Sequence, residues 1–244
     1  MADLLALSSR VIDSGVVDEP VNRITNELTE LADGLAIVES FSHSIVLDAG
    51  DGLVAFDASH ARTGAEVVAA IQGWTSTPVR HLVYTHGHAD HVGGSTDFAA
   101  AFDEMSVVGH RNVDERFDRY AYTNDWFTGD FVIWNFPNAG NPQKVQRYPI
   151  EWAAALRAMA ERGPELLLPA HGLPIEGRER ISLVLTDIAA ALERLVADVV
   201  EMMNAGEVLD TIVHSVHVPD DLLAKPYLRP LYDEPEFVVR NIWR

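Results

Sequence analysis

Between Leu35 and Ser59 the chain reads LAIVESFSHSIVLDAGDGLVAFDAS, two β-rich runs broken by Asp48-Ala49-Gly50-Asp51-Gly52. That pattern predicts a hairpin with a glycine-assisted turn. A helical pattern follows in TGAEVVAAIQGW (63–74), and RHLVYTH is then an apolar strand that delivers His86 at its C-terminal end. Strand, helix, strand with polar residues at the strand exit is the arrangement in which α/β folds place chemistry.

After Gly93-Gly94 the run STDFAAAFDEM predicts a helix with Ser95 as its N-cap, and MSVVGH a strand with His110 at its end. IEWAAALRAMAERG (150–163) reads as a helix stopped at Gly163-Pro164, and PELLLPAHGLPI as a strand that ends by presenting His171. Residues 178–204 give the longest helical pattern. Within it Ile181, Leu185, Ile188, Leu192, Leu195, Val199 and Met202 step by 4 and 3 in turn, a heptad seam. The seam fits a dimer interface or packing on the chain's own body. Beyond Gly206, EVLDTIVHSV and a Pro-punctuated tail read as a helical appendage, with a domain boundary near Pro174.

Composition narrows the partners. Eighteen Lys+Arg against thirty-seven Asp+Glu give a formal charge of −19, which repels nucleic acid and anionic membrane surfaces. A locally basic pocket for an anionic substrate survives, because salt screens distant charge over about 8–10 Å. With no cysteine, thiolate metal sites, disulfides and Cys nucleophiles are excluded. No stretch approaches the roughly 20 apolar residues that span a bilayer. The start, MADLLALSSRVIDSGVVDEP, lacks the basic segment of a secretory leader, so a cytoplasmic location is the expectation.

The densest chemistry is YTHGHADHVGG (84–94), where His86, His88, Asp90 and His91 stand within six positions. Imidazole and carboxylate are what borderline divalent metals take when sulfur is absent. On a turn leaving a strand, His86 and His88 can grip one metal while Asp90 and His91 face a second. A two-metal site lowers the pKa of bound water toward about 7 and clamps attacking and leaving oxygens, which points to hydrolysis. His43, His60, His81, His214 and His217 read as surface or packing residues.

THGHADHVGG resembles the H-x-H-x-D-H motif of the metallo-β-lactamase fold superfamily. The resemblance implies an αββα sandwich of two sheets flanked by helices. Asp57 in LVAFDAS is similar to that family's acidic residue ahead of the first helix, His171 in LLLPAHG to its late metal-binding His, and Asp130 in FTGDF to its bridging acidic ligand. GDFVIWNFPNAGNPQKVQRYP, PAHGLPIEG and YLRPLYDEPEFVVRNIWR together resemble the alkyl sulfatase branch. The division implied is a metallohydrolase domain over 1–174 and an α-helical dimerisation region over 175–244. The implied reaction is hydrolysis of a sulfate ester to alcohol and sulfate by a metal-bound hydroxide at a binuclear zinc-type centre. His86, His88 and Asp130 would hold one metal; Asp90, His91, His171 and Asp130 the other, with Asp90 also orienting the water.

The anionic ester would be met by Asn138, Lys144 and Arg147, of which Arg147 can hold two sulfate oxygens in a bidentate fork. Trp134 and Phe136 read as core in preference to an alkyl channel. The resemblance also implies more chain than is here. RNVDERFDRYAYTNDWFTG (111–129) has nineteen residues, too few for the second-sheet strands and the further ligand motif that belong there, and the tail ends at NIWR. Such a gap would leave the His86/His88 metal without its third terminal ligand. Other hydrolases of the fold, acting on thioesters or lactones, and a catalytically impaired dimerising fragment are the alternatives.

Overall fold

The computed structural model describes residues 3–111, 113, 132–141 and 147–244. Asp130, Lys144 and nearly all of the 111–129 interval lie outside the described residues. The chain divides into two compact units, Met1–Leu4 with Asn22–Gly129, and Leu5–Val21 with Asp130–Arg244.

The first unit is built on a six-stranded sheet with strands in sequence order: β1 (Leu28–Ala32), β2 (Leu35–Val38), β3 (Ser44–Asp48), β4 (Leu53–Phe56), β5 (Val79–Val83) and β6 (Ser106–Val108). The first four pair antiparallel; β4–β5 and β5–β6 are parallel, with Ala55 opposite Leu82 and Leu82 opposite Val107. The expected hairpin turn lies between β3 and β4, where Ala49 N–H donates to Gly52 O and Gly50 takes a φ of +93°. The first of the two β-rich runs is broken in turn: Glu39–His43 leave the ladder and separate β2 from β3.

Parallel strands need crossovers. Between β4 and β5 runs α2 (Gly64–Trp74); between β5 and β6 run α3 (Ala89–Val92) and α4 (Ser95–Ala101). Val67, Val68 and Ile71 of α2 and Phe98 of α4 join Val38, Val46, Leu53, Ala55, Val79 and Leu82 in one core. Each fully buried Val, Ile or Leu there contributes roughly 1.5–3 kcal/mol. Ser95 does not cap α4. Gly94 holds that position, and the Ser95 hydroxyl instead donates to Val92 O and meets the Tyr84 hydroxyl at 2.7 Å. The C-terminal ends of β4 and β5 lie side by side, so Asp57 and the HGHADH segment leave the sheet at the same edge, where open α/β sheets bind ligands.

The second unit holds α1 (Leu4–Ser14) except for its first residue, then α5 (Pro149–Glu161), a ladder of β7 (Leu166–Leu167) and β8 (Ile175–Glu176), α6 (Arg178–Asn204), α7 (Leu209–Ser215), α8 (Asp220–Leu223) and α9 (Pro235–Trp243). The strand expected from PELLLPAHGLPI shrinks to two residues, and His171 sits in the turn that follows it. Among the described residues the second sheet is this two-stranded ladder.

The heptad seam is buried within its own chain: Ile181, Leu185, Leu192, Leu195 and Val199 are all fully covered, as are Val184 and Ala191 on neighbouring positions. Helices α5, α7 and α9 pack along α6, so the seam is interior and not a surface for a second copy. Two ion pairs tie the bundle, Asp13 to Arg180 and Arg157 to Glu193, each bidentate. Asp187 on α6 accepts from Lys225 Nζ at 2.5 Å and from the Tyr227 hydroxyl at 2.6 Å, fastening the tail. Among the described residues no helix is long and apolar enough to cross a membrane.

Candidate metal centre

His86 follows β5, His88 precedes α3 as its N-cap, and His91 lies inside α3. One ring nitrogen from each lies within 4.8 Å of the other two; His88 and His91 are buried and His86 half-buried. Two imidazole nitrogens on a tetrahedral zinc, with Zn–N of about 2.0–2.1 Å, stand roughly 3.4 Å apart. In the triad, His86 Nε2 and His88 Nδ1 stand 2.5 Å apart and every pair lies within 4.8 Å.

The network behind the rings selects their tautomers. Asp57, only 2% exposed, accepts from Thr85 N–H at 2.8 Å and Thr85 Oγ1–H at 2.6 Å, and its Oδ2 lies 2.7 Å from His91 Nδ1. A carboxylate only accepts, so His91 carries its proton on Nδ1 and turns the Nε2 lone pair to the cluster. Thr85 Oγ1 has given its one proton to Asp57, so at 3.0 Å it accepts from His86 Nδ1–H, and His86 also presents Nε2 as a lone pair. That lone pair meets His88 Nδ1 at 2.5 Å, a hydrogen-bond contact closer than two nitrogens sharing one zinc would stand. Asp90 is half-buried, with Oδ2 at 3.6 Å from His91 Nε2 and so on the same side of that ring. The donor set therefore fits a borderline divalent metal.

Backbone geometry fixes this arrangement. Asp57 has a φ of +62°, a left-handed conformation that Asp tolerates better than most residues. Its N–H continues the β4–β5 ladder to Val83 O, and the next N–H, of Ala58, donates to His91 O at 2.6 Å. Gly94 N–H donates to Ser59 O, and a Cβ on Gly94 would overlap the Ala58 carbonyl oxygen. The Gly93-Gly94 pair thus permits α3 to lie directly on the exit of β4.

Hydroxyls that motif reading missed complete the support. Ser42 Oγ lies 3.1 Å from His91 Nδ1, Ser44 Oγ donates to Asp57 O, and Ser59 Oγ donates to Ser40 Oγ. The serine repeat at Ser40, Ser42 and Ser44 in ESFSHS was the available signal. The loop bearing them is anchored by Glu39, whose backbone O accepts from Thr25 and Asn26 and whose carboxylate pairs with Arg23 at 2.9 Å. Burial pushes the Glu39 carboxyl above its ordinary range, and Arg23 opposes that shift.

In the second unit, His171 is half-buried beside Gly172, whose φ is +91° and over which the Trp134 ring lies too close for any Cβ. Trp134 Nε1–H donates to Leu173 O, and Trp134 and Phe136 are fully buried, as core residues should be. Asn138 is 1% exposed, and its backbone O accepts from the Arg147 guanidinium.

Residues 37–151 match the family model described as Metallo-beta-lactamase superfamily. Over 99 residues the chain is 32% identical to the linear primary-alkylsulfatase of Pseudomonas sp. (strain ATCC 19151), covering 40% of this chain and 19% of that protein. The fold is similar to the stereoselective inverting sec-alkylsulfatase Pisa1 from Pseudomonas sp., with a TM-score of 0.79, 17% identity, and coverage of 89% of this chain and 50% of that one. It is also similar to the metallo-beta-lactamase FIM-1 from Pseudomonas aeruginosa in its mono-zinc form, with a TM-score of 0.50, 15% identity, and coverage of 70% and 97%. The chain spans half the length of the alkylsulfatase structure and matches 19% of the curated relative. Residues 37–151 are thus similar to the metallo-beta-lactamase superfamily, and the chain has the α/β fold of these solved structures. Its likeness extends to the alkylsulfatases, as the longer stretches had indicated.

Proposed function

We propose that this chain is a metal-dependent hydrolase of the alkyl sulfatase type, cleaving a sulfate ester with water to give an alcohol, sulfate and a proton. The observation that carries the reading is the orientation of His86 and His91, whose Nδ1 protons are engaged by Thr85 and Asp57 so that both Nε2 lone pairs converge near His88. His86, His88 and His91 would hold a divalent metal of the zinc type, with Asp90, Asp130 and His171 as the further ligands, for one or two ions per chain. When bound, the ion supplies Lewis acidity and makes water acidic enough to deprotonate near neutral pH.

The protein's own part is orientation. Asp57 and Thr85 keep the rings from turning, Asp90 would orient the attacking water, and Asn138, Lys144 and Arg147 would receive the sulfate group. Residues 1–174 serve as the metallohydrolase domain and 175–244 as the helical dimerisation region. A homodimer would use a surface other than the heptad seam, which is interior.

The test is turnover by the full chain of a primary alkyl sulfate, measured beside lactone and thioester panels, with His88→Ala as the control. Sulfate release by the wild type and its loss in the variant support the reading. Turnover of lactones or thioesters alone replaces it with another hydrolase of the fold. No turnover at all leaves the dimerising, catalytically impaired form.

A further inference from the structure

Ser59 follows Asp57 and Ala58 at the exit of β4, fully buried and, like Asp57, left-handed, with a φ of +60°. Glycine takes that conformation freely, and Asn or Asp more readily than Ser. The side chain accounts for a serine there. Its hydroxyl donates to Ser40 Oγ at 2.8 Å and has a second partner in Thr63 Oγ1 at 3.0 Å, on the residue ahead of α2. Ser59 O accepts from Gly94 N–H, just past α3. One buried residue thus joins three segments: the 39–43 loop, the start of α2 and the exit of α3. The loop carries Ser42, whose Oγ lies 3.1 Å from His91 Nδ1 and 3.5 Å from Nε2, against the ring that Asp57 also holds. Ser59 therefore reaches His91 by two routes, through the loop that touches its ring and through the helix that bears it.

We infer that Ser59 is a positioning residue for the metal centre. Its hydroxyl holds the 39–43 loop so that Ser42 stays against the His91 ring, and its carbonyl holds the exit of α3; together they keep His91 Nε2 aimed at the metal. This rests on the reading of His86, His88 and His91 as metal ligands. Position 59 then meets two separate demands, a left-handed backbone that glycine would satisfy better and a hydroxyl that glycine lacks.

The probe is zinc, titrated against a chelator into the metal-stripped full chain as wild type, Ser59→Gly, Ser59→Ala and Ser40→Ala, with a urea melt of each. Glycine relieves the left-handed backbone, so Ser59→Gly should be more stable than Ser59→Ala. Both lose the hydroxyl, so zinc affinity should fall about tenfold in both, the low end of the loss typical for groups that orient a metal-ligating His. Ser40→Ala leaves the backbone at Ser59 untouched and covers the case of a Ser59 variant that does not fold. It should weaken zinc to a similar extent, and combining it with Ser59→Gly should add little, because both remove the same bond. In the metal-free chain, NMR should show the His91 Nδ1 proton exchanging with solvent faster in every variant than in the wild type. Undiminished zinc affinity in Ser59→Gly and Ser40→Ala, or affinity losses that simply follow the losses in the melt, overturns the positioning role while leaving the metal site in place. A wild type that binds no zinc overturns the metal reading and the positioning role with it.

Discussion

Asp57→Asn isolates the network that aims the cluster. The replacement keeps the shape, and Asn tolerates the left-handed φ of +62° as Asp does, so the backbone cost is unchanged. What changes is the count of acceptors. Three donors converge on the carboxylate, from Thr85 N–H, the Thr85 hydroxyl and His91 Nδ1. The amide has one oxygen. If that oxygen faces Thr85 N–H, the new NH2 faces His91 Nδ1. The imidazole must then move its proton to Nε2, the atom that a metal needs bare. If the amide is flipped, two N–H groups oppose each other and the Thr85 amide loses its hydrogen bond, at about 0.5–1.5 kcal/mol. Losing the partner that orients a metal-ligating His typically weakens metal affinity about 10–100-fold. Chelator competition on the metal-stripped chain measures that ratio, and a denaturant melt measures the stability loss. A variant that binds zinc as tightly as the wild type and melts unchanged would refute the tautomer argument.

Three further outcomes follow from the packing. Gly94→Ala sets a methyl against the Ala58 carbonyl and 2.8 Å from Gly64 Cα, both backbone, and is expected to cost about 1–3 kcal/mol in a urea melt. The Tyr227 phenol is raised well above its ordinary 10.0 by burial first and by the hydrogen bond to Asp187 second. Its folded-state value is the higher one, so its stabilisation is complete below pH 10.0 and falls as pH rises further; Tyr227→Phe should flatten that alkaline loss. The Arg157 hydrogen bond holds the Glu193 carboxyl below its ordinary 4.5, so this pair stabilises above that pH and fades on acidification. Both side chains are over a third exposed, so Glu193→Gln should cost less than about 1 kcal/mol at neutral pH and nothing in acid.

What the sequence made legible was local. The HGHADH cluster lies within six positions, and the long helix declares itself by spacing, so the expected span of 178–204 is the observed one. Non-local pairings were not legible. No pattern in FSHS says that Ser42 meets His91, forty-nine positions away, or that Asn241 meets Ala139. The N-cap at Ser95 followed propensity, which tertiary context overrode: its hydroxyl had a better partner in Val92 O, and Gly94 took the cap because close packing against Gly64 and Ala58 demanded glycine there. The heptad seam was read correctly as a buried stripe, but a stripe does not name its partner, and α5, α7 and α9 of the same chain supply it.

The most direct test of the central claim is sulfate release from a primary alkyl sulfate by the metal-stripped full chain as zinc is titrated in. The account predicts no release without metal and a rise that saturates within one or two equivalents per chain. Release that is independent of zinc, or none at any zinc level, would contradict it.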